Sequence, residues 1–140
     1  MRLRFAPLTA IAFCFFVLVT ADTTRAASSA ELQRAEKQFK RSCGTCHTVD
    51  TRAPQRQGPN LFEVIGRRAG GDAKFSKYSD ALKAAGEAGL FWSPETLEPW
   101  ITNARKFIPK SNMSYRQRNA QKRALIITYL KSLQATQGTQ

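Results

Sequence analysis

Cys43-Gly44-Thr45-Cys46-His47 is the stretch on which the reading of this chain turns. The spacing C-x-x-C-H is the attachment pattern of a c-type haem. Its two thiols add across the two vinyl groups, and the adjacent imidazole offers one axial nitrogen to iron. Beyond residue 27 the sequence holds only two Cys, one His and one Met: Cys43, Cys46, His47 and Met113. Those four side chains match the covalent and axial inventory of a His/Met-ligated haem c, with none to spare.

Other uses of the cluster fit less well. A structural zinc site needs four nitrogen or sulfur ligands, and three adjacent ones are available. A thioredoxin-like redox pair needs a βαβ context, and no strand is evident near Cys43. A plain Cys43–Cys46 disulfide leaves His47 without a role. Met113 lies on a polar stretch, Pro109-Lys110-Ser111-Asn112-Met113-Ser114, where no apolar periodicity calls for it. A soft thioether is a suitable haem-iron ligand there.

Residues 1–27 read as a signal peptide. Met1-Arg2-Leu3-Arg4 is a short cationic start, and Leu8 to Thr20 is an apolar run too short for an ordinary spanning helix. Cleavage is expected after Ala21, Ala26 or Ala27, which discards Cys14. Residues 28–140 then form one small domain. Export places it in the periplasm, or at the membrane if the leader stays as an anchor. The whole chain carries +12. The leader holds Arg2, Arg4 and Arg25 against Asp22, so its loss leaves about +10. Such an excess points to acidic partner surfaces or to transient contact with an anionic membrane. No basic run with interleaved aromatics marks nucleic-acid binding.

Apolar spacing predicts an all-α chain without significant sheet. Leu32, Ala35 and Phe39 form one stripe over Glu31 to Ser42, a helix that runs directly into Cys43. Ser79 caps a short helix over Asp80–Ala85, stopped by Gly86. Ser93-Pro94 starts another, with Leu97, Trp100, Ile101 and Ala104 on its inner face. The last runs about Ala120 to Leu133, and Ala135 to Gln140 reads as a frayed tail. A chain this short and this rich in loops gains from a large buried ligand.

In this order and at these spacings, the motifs from Phe39 to Tyr129-Leu130-Lys131 resemble the class I cytochromes c, close to the mitochondrial cytochrome c and bacterial cytochrome c2 group. They include Gly58-Pro59-Asn60-Leu61, Gly66-Arg67-Arg68-Ala69-Gly70, Tyr78-Ser79-Asp80-Ala81, Trp92 and Lys106-Phe107-Ile108-Pro109. The resemblance implies helices wrapped around one covalently bound haem c. It implies His47 as proximal ligand, with its ring N–H on the Pro59 carbonyl, and Met113 as distal ligand. Arg67, Tyr78 and Trp92 match positions around the haem propionates, and Phe39 and Tyr129 match the contact between first and last helices. Three departures stand out. Ala35 replaces a Gly, setting those helices slightly farther apart. Trp100 stands where a Tyr commonly reaches the Met sulfur, and Leu82 replaces an Asn near a buried water. The last two predict a more apolar distal side. The stretch from Gly70 to Trp92 is also longer than in the short mitochondrial form, and a mobile lower loop is expected.

His plus Met fills both axial positions, which predicts an electron carrier and no enzyme. Arg56, Arg105, Lys106 and Arg116 are the expected docking cations, with Arg118 on the same face. The expected partners of this monomer are a quinol–cytochrome c reductase, an oxidase, a reaction centre or a periplasmic dehydrogenase. If Met113 did not bind iron, the same chain would be a weak peroxidase or a ligand or redox sensor.

Overall fold

A computed structural model describes residues 27–134 of the chain. The apolar leader, Cys14 and the tail from Ala135 lie outside the described residues, apart from Ala27. Five helices are present among them: α1 (Ser29–Ser42), α2 (Asp80–Glu87), α3 (Pro94–Thr102), α4 (Ala104–Phe107) and α5 (Ala120–Ser132). The only β pairing among the described residues is one isolated antiparallel bridge, Arg68 with Phe91.

The helix α1 starts two residues before Glu31 because the Ser28 hydroxyl accepts the Glu31 N–H at 3.2 Å. Such a cap satisfies an orphan donor of the first turn. Ala35 is fully buried and Phe39 nearly so. Phe39 packs on Tyr129 of α5, with ring centroids 5.0 Å apart and planes tilted by 43°. Burying an aromatic of this size stabilises the fold by about 2–3 kcal/mol. The α1–α5 contact thereby fixes the end of α1 that delivers Cys43.

Two boundaries differ from expectation. Gly86 does not stop α2; the helix runs through it to Glu87. The actual stop is Gly89, in the left-handed region at φ +95°. Its N–H bonds the Gly86 carbonyl and the Leu90 N–H bonds the Ala85 carbonyl, both at 3.0 Å, the paired pattern of a helix end closed by a left-handed glycine. Likewise Leu97, Trp100, Ile101 and Ala104 are all buried but not on one helix. The chain breaks at Asn103, which is extended. The Asn103 side chain accepts the Lys106 N–H at 3.2 Å and so starts α4 instead.

The Gly70–Trp92 stretch is not a simple loop. It contains α2, and its base is tied by Gly66 N–H to Trp92 O (2.7 Å), Trp92 N–H to Arg67 O (2.9 Å) and Ala69 N–H to Leu90 O (2.9 Å).

On the other side, Arg123 of α5 holds three elements together. Its Nε donates to Glu98 Oε1 of α3 at 2.6 Å, and its Nη1 donates to the Gln117 and Arg118 carbonyls at 2.9 Å each. The Arg123 side chain is 13% exposed and Glu98 47%. A charge buried this far depends on its partners. Arg123→Met keeps the stem but removes every donor. It is expected to cost about 2–3 kcal/mol in a urea titration of the haem-loaded protein. A loss below about 0.5 kcal/mol would show the clamp to be energetically idle.

Candidate functional site

The helix α1 ends where its last turn passes into the C-x-x-C-H loop. Cys43 N–H still bonds the Phe39 carbonyl at 2.8 Å, and His47 N–H bonds the Cys43 carbonyl at 2.9 Å. Gly44 fits this turn because a Cβ there would sit 2.5 Å from the Lys40 carbonyl oxygen. The pentapeptide is thus wound into one tight turn that presents both thiols and the imidazole together.

These side chains line a cavity of about 390 Å³. Cys43, Cys46, His47, Pro59, Arg67, Tyr78, Trp92, Trp100 and Met113 all contribute to its wall. Every residue expected around a haem is therefore brought to one space. Leu82, Leu97, Ile126 and Leu130 complete the wall with apolar surface. Trp92 and Trp100 are both buried and pack against each other, with ring centroids 5.3 Å apart and planes tilted by 40°.

Both cysteines are free thiols. Burial pushes the Cys43 thiol up to about 12, with a further contribution from nearby Cys46. His47 Nδ1 donates to the Pro59 carbonyl at 2.8 Å. That bond fixes the tautomer and leaves Nε2 as a lone-pair donor. Burial also holds His47 below its usual range, with the Pro59 bond opposing, so the ring is neutral and able to ligate. Met113 is half-buried. The buried Ser111 hydroxyl donates to its main-chain carbonyl at 3.3 Å.

Arg67 is more occupied than expected. Its guanidinium donates to the Asn60 carbonyl at 2.7 Å and to the Phe62 carbonyl, and lies 3.8 Å from Asp72 Oδ2. Tyr78 is half-buried, and burial raises its phenol above the usual range. Of the docking candidates, Arg105, Lys106, Arg116 and Arg118 are exposed. Arg56 is exposed too, but it donates to the Gly44 carbonyl, so it braces the C-x-x-C-H turn as well as presenting charge.

Two contributors escape a reading by residue type. Gly58 is buried flat against the His47 ring, where a Cβ would lie 2.6 Å from Nδ1 and 2.8 Å from Nε2. Asp72 stands behind Arg67 and accepts from Gln55 Nε2 at 3.1 Å. Gly58 enters the sequence reading only as part of the Gly58-Pro59-Asn60-Leu61 motif, without a role of its own, and Asp72 lies between motifs.

The donor set fits a covalently held haem. Two free thiols and an imidazole line a largely apolar cavity, and a thioether is among its other lining residues. Among the described residues no group of three or more His, Cys, Asp or Glu could hold a bare metal ion. No described helix is long and apolar enough to cross a membrane.

Comparison with known proteins agrees with this geometry. The sequence model of the family described as Cytochrome c matches residues 32–134. Cytochrome c2 of Agrobacterium tumefaciens (strain II Chrys) is 39% identical over 84 residues, covering 60% of this chain and 74% of that protein. Cytochrome c of Sesamum indicum is 38% identical over 106 residues, covering 75% of this chain and 92% of that one. The solved structure of cytochrome c2 from Rhodospirillum centenum superposes with a TM-score of 0.65 at 33% identity, over 73% of this chain and 97% of that chain. The fold is that of a class I cytochrome c, the cofactor is covalently attached haem c, and the chain belongs to the cytochrome c family of electron-carrying haem proteins.

Proposed function

We propose that this protein is an exported single-electron carrier in which Cys43 and Cys46 would anchor haem c and His47 and Met113 would ligate its iron. The observation that carries this reading is the meeting of all four side chains on the wall of one largely apolar cavity of about 390 Å³. When bound, haem c supplies a reversible one-electron couple. The chain's own residues do the rest. The Pro59 carbonyl orients His47 and enriches its lone pair. Trp92, Trp100 and Leu82 keep water out, which favours the less charged reduced state. Ser111 fixes the main chain at Met113.

The reading includes removal of residues 1–27 and a periplasmic location. Arg105, Lys106 and Arg116 would steer encounter with acidic faces of redox proteins, such as a quinol–cytochrome c reductase, an oxidase, a reaction centre or a dehydrogenase. Such steering weakens as salt rises.

The test is the absorption spectrum, oxidised and reduced, of protein made in a host with c-type haem maturation and washed with acid–acetone. A low-spin c-type spectrum with the weak Met-to-ferric charge-transfer band is expected. Covalent haem that is high-spin and lacks that band would overturn Met113 ligation and with it the carrier.

A further inference from the structure

We propose that Asp72 is a redox-tuning residue, whose carboxylate offsets the charge of Arg67 on the cavity wall and so lowers the reduction potential of the bound haem.

Among the described residues, Arg67 and Lys77 are the only arginine or lysine residues that line the cavity, and no aspartate or glutamate lines it. Lys77 is exposed to solvent, whereas the Arg67 side chain is 23% exposed. Arg67 is therefore the cation whose field is least screened at the site. Asp72 sits directly behind it, with a side chain only 13% exposed and Oδ2 3.8 Å from Arg67 Nη1. The carboxylate is held from two further directions. Gln55 Nε2 donates to Oδ2 at 3.1 Å, and the Lys74 N–H donates to Oδ1 at 2.9 Å. Arg67 is itself fixed by two main-chain carbonyls, those of Asn60 and Phe62. Neither charge is free to turn away.

The carbonyls alone satisfy and orient the guanidinium. Asp72 adds something they do not supply, a full negative charge in a partly buried place. Burying a carboxylate costs free energy unless it is paired, so this charge is maintained by the network at some expense to the fold. Its effect on the site follows from sign. Reduction adds one electron to the iron and makes or breaks no bond, so the oxidised state carries one more positive charge. The positive charge of Arg67 disfavours that state. Asp72 relieves the repulsion, favours the oxidised state and lowers the potential.

This inference rests on the haem-carrier reading above. The test is a spectroelectrochemical titration at pH 7 of the haem-loaded protein with Asp72→Asn, Asp72→Ser and Asp72→Glu. The spectrum of each is recorded first. Both neutral variants are expected to shift the midpoint upward, and Asp72→Glu to stay near the native value. The upward shift should persist at high salt, because the pair is shielded from solvent. A merely structural role for Asp72 predicts the opposite sign: a loosened wall admits water and lowers the potential. An Asn or Ser midpoint equal to or below native, with the Met charge-transfer band intact, would overturn the proposal. Failure of native protein to show that band would sink the carrier reading, and this inference with it.

Discussion

Replacing Gly86 by Ala is expected to destabilise the haem-loaded protein by about 3 kcal/mol in urea, the reverse of what the same change does in an ordinary helix. In an exposed helix interior, Gly→Ala gains up to about 1 kcal/mol, because glycine is the more disordered when unfolded. Gly86 lies inside α2 and is buried. A Cβ there would fall 3.0 Å from the Ala69 carbonyl carbon and closer still to its oxygen. That carbonyl is backbone, and its residue is pinned by the bond from Ala69 N–H to Leu90 O at 2.9 Å. The clash is relieved only if α2 moves off the turn at residues 66–70. Leu82 of α2 and Arg67 of that turn share the cavity wall, so the damage reaches the haem site. Gly89→Ala is the control. It has open space around its Cβ position but a φ of +95°, so it costs only conformational strain, about 1 kcal/mol. A Gly86→Ala protein at least as stable as the native one would refute the close packing of α2.

Gly86 also shows where the sequence stops being legible. Ser79 as a cap locates the start of α2 well, because that signal is local. Two glycines three residues apart then offer two stops. Which one ends the helix depends on whether Ala69, distant in sequence, needs the space. Asn103 fails for a related reason. The apolar stripe through Ala104 is real, since all its members are buried, but a side-chain cap divides it into two helices. The proposed site residues were picked out by a different kind of signal. Cys43, Cys46, His47 and Met113 were legible because thiol, imidazole and thioether are scarce in this chain and each has few chemical uses. Pro59, Arg67, Tyr78, Trp92 and Trp100 were legible only through likeness to a family. Gly58 and Asp72 were not singled out for a role at all. One acts through the absence of a side chain and the other through a second residue, and composition or periodicity registers neither.

Gly58→Ala is the change expected to damage the site most directly. The added Cβ would lie 2.6 Å from His47 Nδ1 and 2.8 Å from Nε2, tighter than van der Waals contact allows. Three routes of relief are open, and each has a cost. The imidazole can rotate, but its Nδ1 is bonded to the Pro59 carbonyl at 2.8 Å, and breaking that bond leaves a buried carbonyl unpaired, at about 1–3 kcal/mol. The segment from Gln57 to Pro59 can withdraw, but the Gly58 N–H is bonded to the Cys46 carbonyl at 2.8 Å and the Leu61 N–H to the Thr48 carbonyl at 2.8 Å. Moving it therefore pulls on the C-x-x-C-H turn itself. The turn can yield, but its two thiols must then meet their attachment points from the wrong place. The expected result is at least a tenfold fall in the yield of covalently loaded protein and a loss of about 3 kcal/mol in whatever protein matures. Haem content per chain after acid–acetone extraction and a urea titration of the soluble fraction check both. A Gly58→Ala protein that loads haem as fully as the native one, with a cost below about 1 kcal/mol, would mean that the His47 ring is not held where the Pro59 bond places it. The second-ligand argument for Met113 would then lose its fixed partner as well.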